Sequence, residues 1–313
     1  MNKKVHSDQL LKSLSFSPDD LATTVKASFR YGHGASLAEK DQANWIMKSQ
    51  RMCTWLTSTT SCTLLVNGNG EHKKISPLSL ITALLVQSLT QSDVPVLHFF
   101  CGDNTSSAAG PSYLIRSLIA QLLTHYDFNL TTIQHPRKSA PKTARELCTL
   151  FEDLLAQLPD DALLFILIDG ITYFENADRR GEMCFIIKQL HKIAQGAGAL
   201  VKILLMAPGK SRYVVKVLQN KSEGDSDGKG GGVNEGSGWG VLHAPVNPDG
   251  GRVGLSVPYW EKRTSGSVTD LRKRAEEQSD GMREEEDCGR LVVKGNGRRR
   301  ARSEDGRARR GMM

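Results

Sequence analysis

At 313 residues the chain is long enough to bury one good core and part of a second. Hydrophobic residues make up 39% and charged residues 24%, ordinary values for a globular protein, and no apolar run reaches the roughly 18 residues of a membrane span, which argues against a membrane partner. The net charge of +7 would point to a nucleic-acid partner only if it clustered on a folded face, and much of the excess lies instead near the end, from Arg298 to Arg310.

Residues 1–44 are mostly polar and read as an arm with one helix, opened by Ser17-Pro18-Asp19-Asp20 and stopped at Gly32. Trp45, Ile46, Met52, Trp55 and Leu56 recur at helical spacing and predict an amphipathic helix packed by its aromatic face. The run CTLLVNGNG predicts a strand entering a loop, and Ser76-Pro77 then opens a helix over 76–91, with Ser76 as N-cap. Further strands are predicted at 94–102, 162–170 and 200–207, with helices at 111–126, 143–158 and 179–195.

Four near-continuous apolar strands separated by amphipathic helices predict an α/β fold, a mostly parallel sheet covered by helices on both faces. Ligands of such sheets bind beyond the carboxyl ends of the strands, so the loops after Gly68, Gly102, Gly170 and Ala207 are the places to look for chemistry. The six cysteines are widely spaced, with no C-x-x-C pair and no histidines at metal-ligand spacing, and read as reduced, mostly buried thiols of a cytoplasmic protein.

Past residue 215 the periodicity fades into Gly- and Arg-rich sequence. Residues 216–313 are expected to be a disordered tail, either a genuine polyampholyte or the product of a frameshift or retained intron in the gene model. Its closing RRRARSEDGRARR is a candidate nuclear-import or RNA-contact segment, although no aromatic residues interleave its arginines.

The blocks LLVNGN, SPLS, LHFFCG, GPSYLIRSLIAQLL, LLFILIDG and KILLMAP, in this order over about residues 45–212, resemble the NACHT-like STAND P-loop NTPases, in particular a fungal group with a nephrocystin-like N-terminal module. The resemblance implies a P-loop NTPase-like domain at 45–215, here truncated to about four strands. It implies ATP or GTP with Mg²⁺ as ligands, held by Gly68, Gly70, Lys74 and Ser76, with Asp169 at the metal. A phosphate loop follows G-x-x-x-x-G-K-[ST], and starting it at Gly68 puts Lys74 on the lysine position, Lys73 in place of the second glycine and Ile75 in place of the metal-binding hydroxyl. Ser76 supplies a hydroxyl only after a one-residue shift. Asp169 falls at the Walker B position, but Thr172 and Tyr173 stand where relatives carry an acidic pair, and Glu175 replaces them only if the loop is rearranged. Gly209-Lys210-Ser211 has a G-K-S ending without the upstream glycine.

No catalytic residue is assigned. The expected function is a non-catalytic or weakly nucleotide-binding interaction module with protein partners. The alternatives are an ATP- or GTP-binding switch using Lys74 and Asp169, or nucleic-acid binding through the basic tail.

Overall fold

Strands form where aliphatic residues run without interruption, and the two longest runs take the most buried places. In the computed structural model, which describes residues 2–104, 110–130, 141, 143–219, 238–245, 248 and 258–274, every residue of β3 (Leu163–Asp169) and β4 (Leu200–Ala207) is buried. With β1 (Cys62–Asn67), β2 (Val96–Phe100) and β5 (Trp239–His243) they form one parallel sheet in the order β2-β3-β4-β1-β5. Strands buried on both faces need no polar alternation, which is why these runs are continuous.

Side chains of successive residues still point to opposite faces. Leu64, Val66, Phe165, Leu167, Leu204 and Met206 join one core with α3 (Leu37–Lys48), α4 (Gln50–Thr57) and α5 (Pro77–Gln91). Leu65, Ile166, Ile168, Ile203 and Leu205 join the other with α6 (Pro111–His125), α7 (Ala144–Leu155), α8 (Arg180–Gly196) and α9 (Val214–Gln219).

The helix expected across Trp45 to Leu56 is two helices. Ser49 ends α3 by donating its N–H to the Ile46 carbonyl, and its hydroxyl accepts from the Met52 N–H to start α4, so one residue serves as both caps and turns the chain. Upstream, the segment expected to hold one helix holds α1 (Asn2–Ser13), α2 (Pro18–Gly34) and the start of α3. α2 lies close on α5, since a β-carbon on Gly32 would fall 2.7 Å from Leu80.

Among the described residues the sheet has five strands, not the four expected. The fifth comes from the stretch assigned to a disordered tail, as does a further helix, α10, over 258–274, whose Trp260, Val268 and Leu271 are buried in the α5-side core. Both were hidden by their surroundings: WGVLH is too short to stand out among glycines, and α10 carries its apolar residues at single positions three to eight apart. The arginine-rich run 298–310 lies outside the described residues. No helix among the described residues is long and apolar enough to cross a membrane.

Candidate functional site

The chain leaves β1 through α5 on one face of the sheet and leaves β4 through α9 on the other. Connections that diverge in this way open a crevice at the carboxyl ends of the two strands, where ligands of open parallel sheets are held. The loop from Asn67 to Ser76 occupies this position.

Its first residues are zipped onto β4. Gly68 N–H donates to the Ala207 carbonyl at 2.8 Å and Gly70 N–H to the Pro208 carbonyl at 2.9 Å, which continues the β1–β4 ladder past the strand ends. Gly68 is needed for this closeness, because a β-carbon there would sit 2.7 Å from the Pro208 carbonyl oxygen. Side chains tie the loop down further. Asn67 Oδ1 accepts from Ser211 N–H at 2.8 Å, Asn69 Nδ2 donates to the Ala244 carbonyl at 2.7 Å, and Gln42 Nε2 donates to the Gly68 and Pro245 carbonyls.

Lys74 is drawn sideways. Its ammonium pairs with Asp103, 2.7 Å away on the 3-10 turn that follows β2. The backbones of these turns touch as well, since a β-carbon on Gly102 would lie 2.6 Å from the Lys74 carbonyl oxygen.

Ser76 is the N-cap of α5: its hydroxyl accepts from the N–H groups of Leu78 and Ser79. The hydroxyl that reaches Asp169 belongs to Ser79, which donates to Oδ2 at 2.6 Å. Asp169 is 2% exposed, and among the described residues neither its Oδ1 nor the buried hydroxyl of neighbouring Thr172 has a hydrogen-bond partner. Burial raises the Asp169 carboxyl from 3.8 to about 7, against the pull of Ser79 and the Gly170 amide.

Glu175, the possible stand-in for the missing acidic pair, is occupied elsewhere. Its carboxylate accepts from the Ser211 hydroxyl and from the N–H groups of Arg212, Tyr213 and Val214, and so caps the start of α9. Ser211, the last residue of the G-K-S tripeptide, is thus part of this cap.

A cavity of about 160 Å³ lies beside the loop, lined in part by Glu39, Gln42, Gly70, Glu71 and Lys73. It is small against the roughly 300–1,000 Å³ of ordinary ligand pockets. Its wall carries the Glu39–Lys73 ion pair, 3.3 Å apart: burial would raise the Glu39 carboxyl, but hydrogen bonds from Tyr31, Ser36 and Lys73 outweigh burial and hold it at about 2. Two loop amides already bonded within the chain and a lysine already paired do not fit a nucleoside triphosphate. Asp169 and the Ser79 hydroxyl bonded to it are oxygen donors of the kind Mg²⁺ takes, and they would hold the ion with the carboxyl ionised.

Of the residues predicted for this site, Gly68, Gly70, Lys74, Ser76 and Asp169 all lie at this end of the sheet, although Lys74 and Asp169 have separate partners. The sequence reading missed Ser79, Asp103, Gln42 and Asn67. The available signals were the second serine of SPLS on an otherwise apolar helix and the asparagines on either side of Gly68.

Residues 41–207, more than half of the chain, match the family described as Nephrocystin 3, N-terminal. The chain therefore belongs to the nephrocystin 3 N-terminal family. No curated protein matches it.

Proposed function

We propose that this chain is a non-catalytic interaction module that keeps the frame of a P-loop NTPase and works through contacts with other proteins. The frame is the succession of strand, loop and helix at β1–α5, with an aspartate ending a strand of the same sheet. The observation that carries the reading is the zipped loop. A phosphate loop offers its amides to the anion, whereas Gly68 and Gly70 donate theirs to Ala207 and Pro208. The pairing of Lys74 with Asp103 and the absence of a carboxylate pair at Thr172 and Tyr173 support the same conclusion.

Equilibrium binding of labelled ATP and GTP, with and without Mg²⁺, tests it. The expected result is no saturable binding and no difference between wild type and Lys74→Ala. Saturable binding that disappears in Lys74→Ala would overturn the proposal in favour of a nucleotide-dependent switch.

A further inference from the structure

The two edges of the sheet are finished differently. In a parallel ladder alternate residues turn both backbone groups toward the neighbouring strand, and the residues between them turn both outward. On β2 the outward groups are met by side chains. His98 N–H donates to Gln121 Oε1, the His98 carbonyl accepts from Gln121 Nε2, and the Phe100 carbonyl accepts from Asn104 Nδ2, each at 2.9 Å. On β5 the bonds from Thr63 N–H to the Gly238 carbonyl and from Ala244 N–H to the Asn67 carbonyl, both 2.8 Å, make Gly238, Gly240, Leu242 and Ala244 the inward set. Trp239, Val241 and His243 therefore face outward. Arg51 donates to the Val241 carbonyl, but among the described residues no acceptor meets the outward N–H groups of these three. Such an edge is a template for another strand.

The strand also offers a slot and a charge. Trp239 and Val241 pack against the core on the α8 side and Leu242 against the core on the α5 side. Gly240 shares the face of Leu242 and puts no side chain there. A cavity of about 540 Å³ opens at that position, lined in part by Trp55, Leu64, Trp239 and Gly240. It is large enough for an aromatic or aliphatic side chain from a neighbouring strand. At the far end of β5, His243 is exposed, and its imidazole is lowered by burial first and then by the charges of Lys210 and Arg51. Two cations thus stand beside the carboxyl end of the open edge.

We propose that β5 is a docking edge for an extended, acidic segment of a partner protein, which pairs with the outward groups of Trp239, Val241 and His243. An apolar side chain of that segment fills the cavity beside Gly240, and an acidic one lies against Lys210 and Arg51. In strand addition the main-chain hydrogen bonds give affinity, and pockets for alternate side chains give specificity. A second copy of this chain suits the edge less well, because β5 set antiparallel on itself at Val241 brings two Arg51 guanidinium groups together at the seam. The proposal rests on the reading of the chain as a module that works through protein contacts. A peptide titration and a nucleotide titration fail separately, so the two are distinguishable.

The test uses the full chain and a fluorescein-labelled peptide of about eight residues, near the length of an ordinary strand. It alternates polar and β-branched residues, with a central phenylalanine and a glutamate at each end, so that either strand direction is served. Saturable binding by fluorescence anisotropy is expected. N-methylation of one alternate set of peptide amides, but not of the other, should weaken it at least about tenfold, and lysine in place of glutamate should weaken it too. Val241→Pro, which removes one outward N–H and leaves the ladder to β1 in place, should also cost about tenfold. No saturation by about 1 mM peptide, or equal affinity for Val241→Pro, overturns the proposal. Should that variant fail to fold, wild type decides: the Trp239, Val241 and His243 amides should exchange rapidly in the free chain and slow when peptide is added. Amides already slow in the free chain, or a concentration-dependent dimer, give the edge to this chain itself or to a second copy, and either result overturns the proposal.

Discussion

The Ser79 hydroxyl and Asp169 Oδ2, 2.6 Å apart, join the first turn of α5 to the last residue of β3 at the carboxyl end of the sheet. This bond holds a carboxyl that burial favours in its neutral form, and the conflict has a measurable consequence.

The Asp169 carboxyl is raised from 3.8 to about 7, by burial first and by Asp103 in addition. Below about pH 4 it is neutral both folded and unfolded. Between about pH 4 and pH 7 the unfolded chain ionises and the folded chain does not, so this group's contribution to stability falls as pH rises, by up to about 4 kcal/mol, and then levels off. Urea unfolding of wild type and Asp169→Asn across this range should show the difference between them changing in that direction. A difference that stays constant with pH would contradict the burial argument.

Gly102→Ala and Gly68→Ala should each destabilise the fold by about 2 kcal/mol or more, because the new methyl meets a backbone carbonyl that has no rotamer to escape into. Gly34→Ala, at the end of α2 with nothing within 4 Å, should be neutral or gain up to about 1 kcal/mol. Chemical unfolding of the three variants gives the ranking, and equal effects would count against the close approach of these turns.

Glu175→Ala removes the acceptor for four donors at the start of α9, and should cost about 2–3 kcal/mol. Hydrogen exchange should accelerate first over residues 211–219. Protection unchanged there would mean that Glu175 is not the cap.

Trp260→Ala tests the packing of α10. The side chain is 2% exposed, and its loss should cost about 3–5 kcal/mol in thermal or urea unfolding. A change below about 1 kcal/mol, typical of surface positions, would place Trp260 outside the core.

The α/β architecture was legible because aliphatic runs such as LLFILID and LVKILLMA carry their own burial, and because Ser76-Pro77 announces the start of α5. Strand β5 was not, since five residues on a sheet edge gain their stability from β1 and not from their own sequence. The site was legible as a location and not as a set of partners. Lys74 and Asp169 sit on the expected strand ends, but the turn carrying Asp103 and the ladder from Gly68 and Gly70 to Ala207 and Pro208 depend on contacts between segments far apart in the chain. Ser79 is inconspicuous in the sequence because Ser76 alone accounts for the cap, and the direction of the Ser79 hydroxyl follows from the way α5 crosses the sheet.

Because β5 pairs with β1 across more than 170 positions of sequence, a nascent chain synthesised only to residue 219 has β1 as an open edge, with Leu64 and Val66 beside it. Unpaired apolar strand edges are where chains stick to one another. Synthesis of this protein therefore includes an interval in which its central strands are made but one flank is uncovered, and chaperones would be needed most until residues 239–243 emerge.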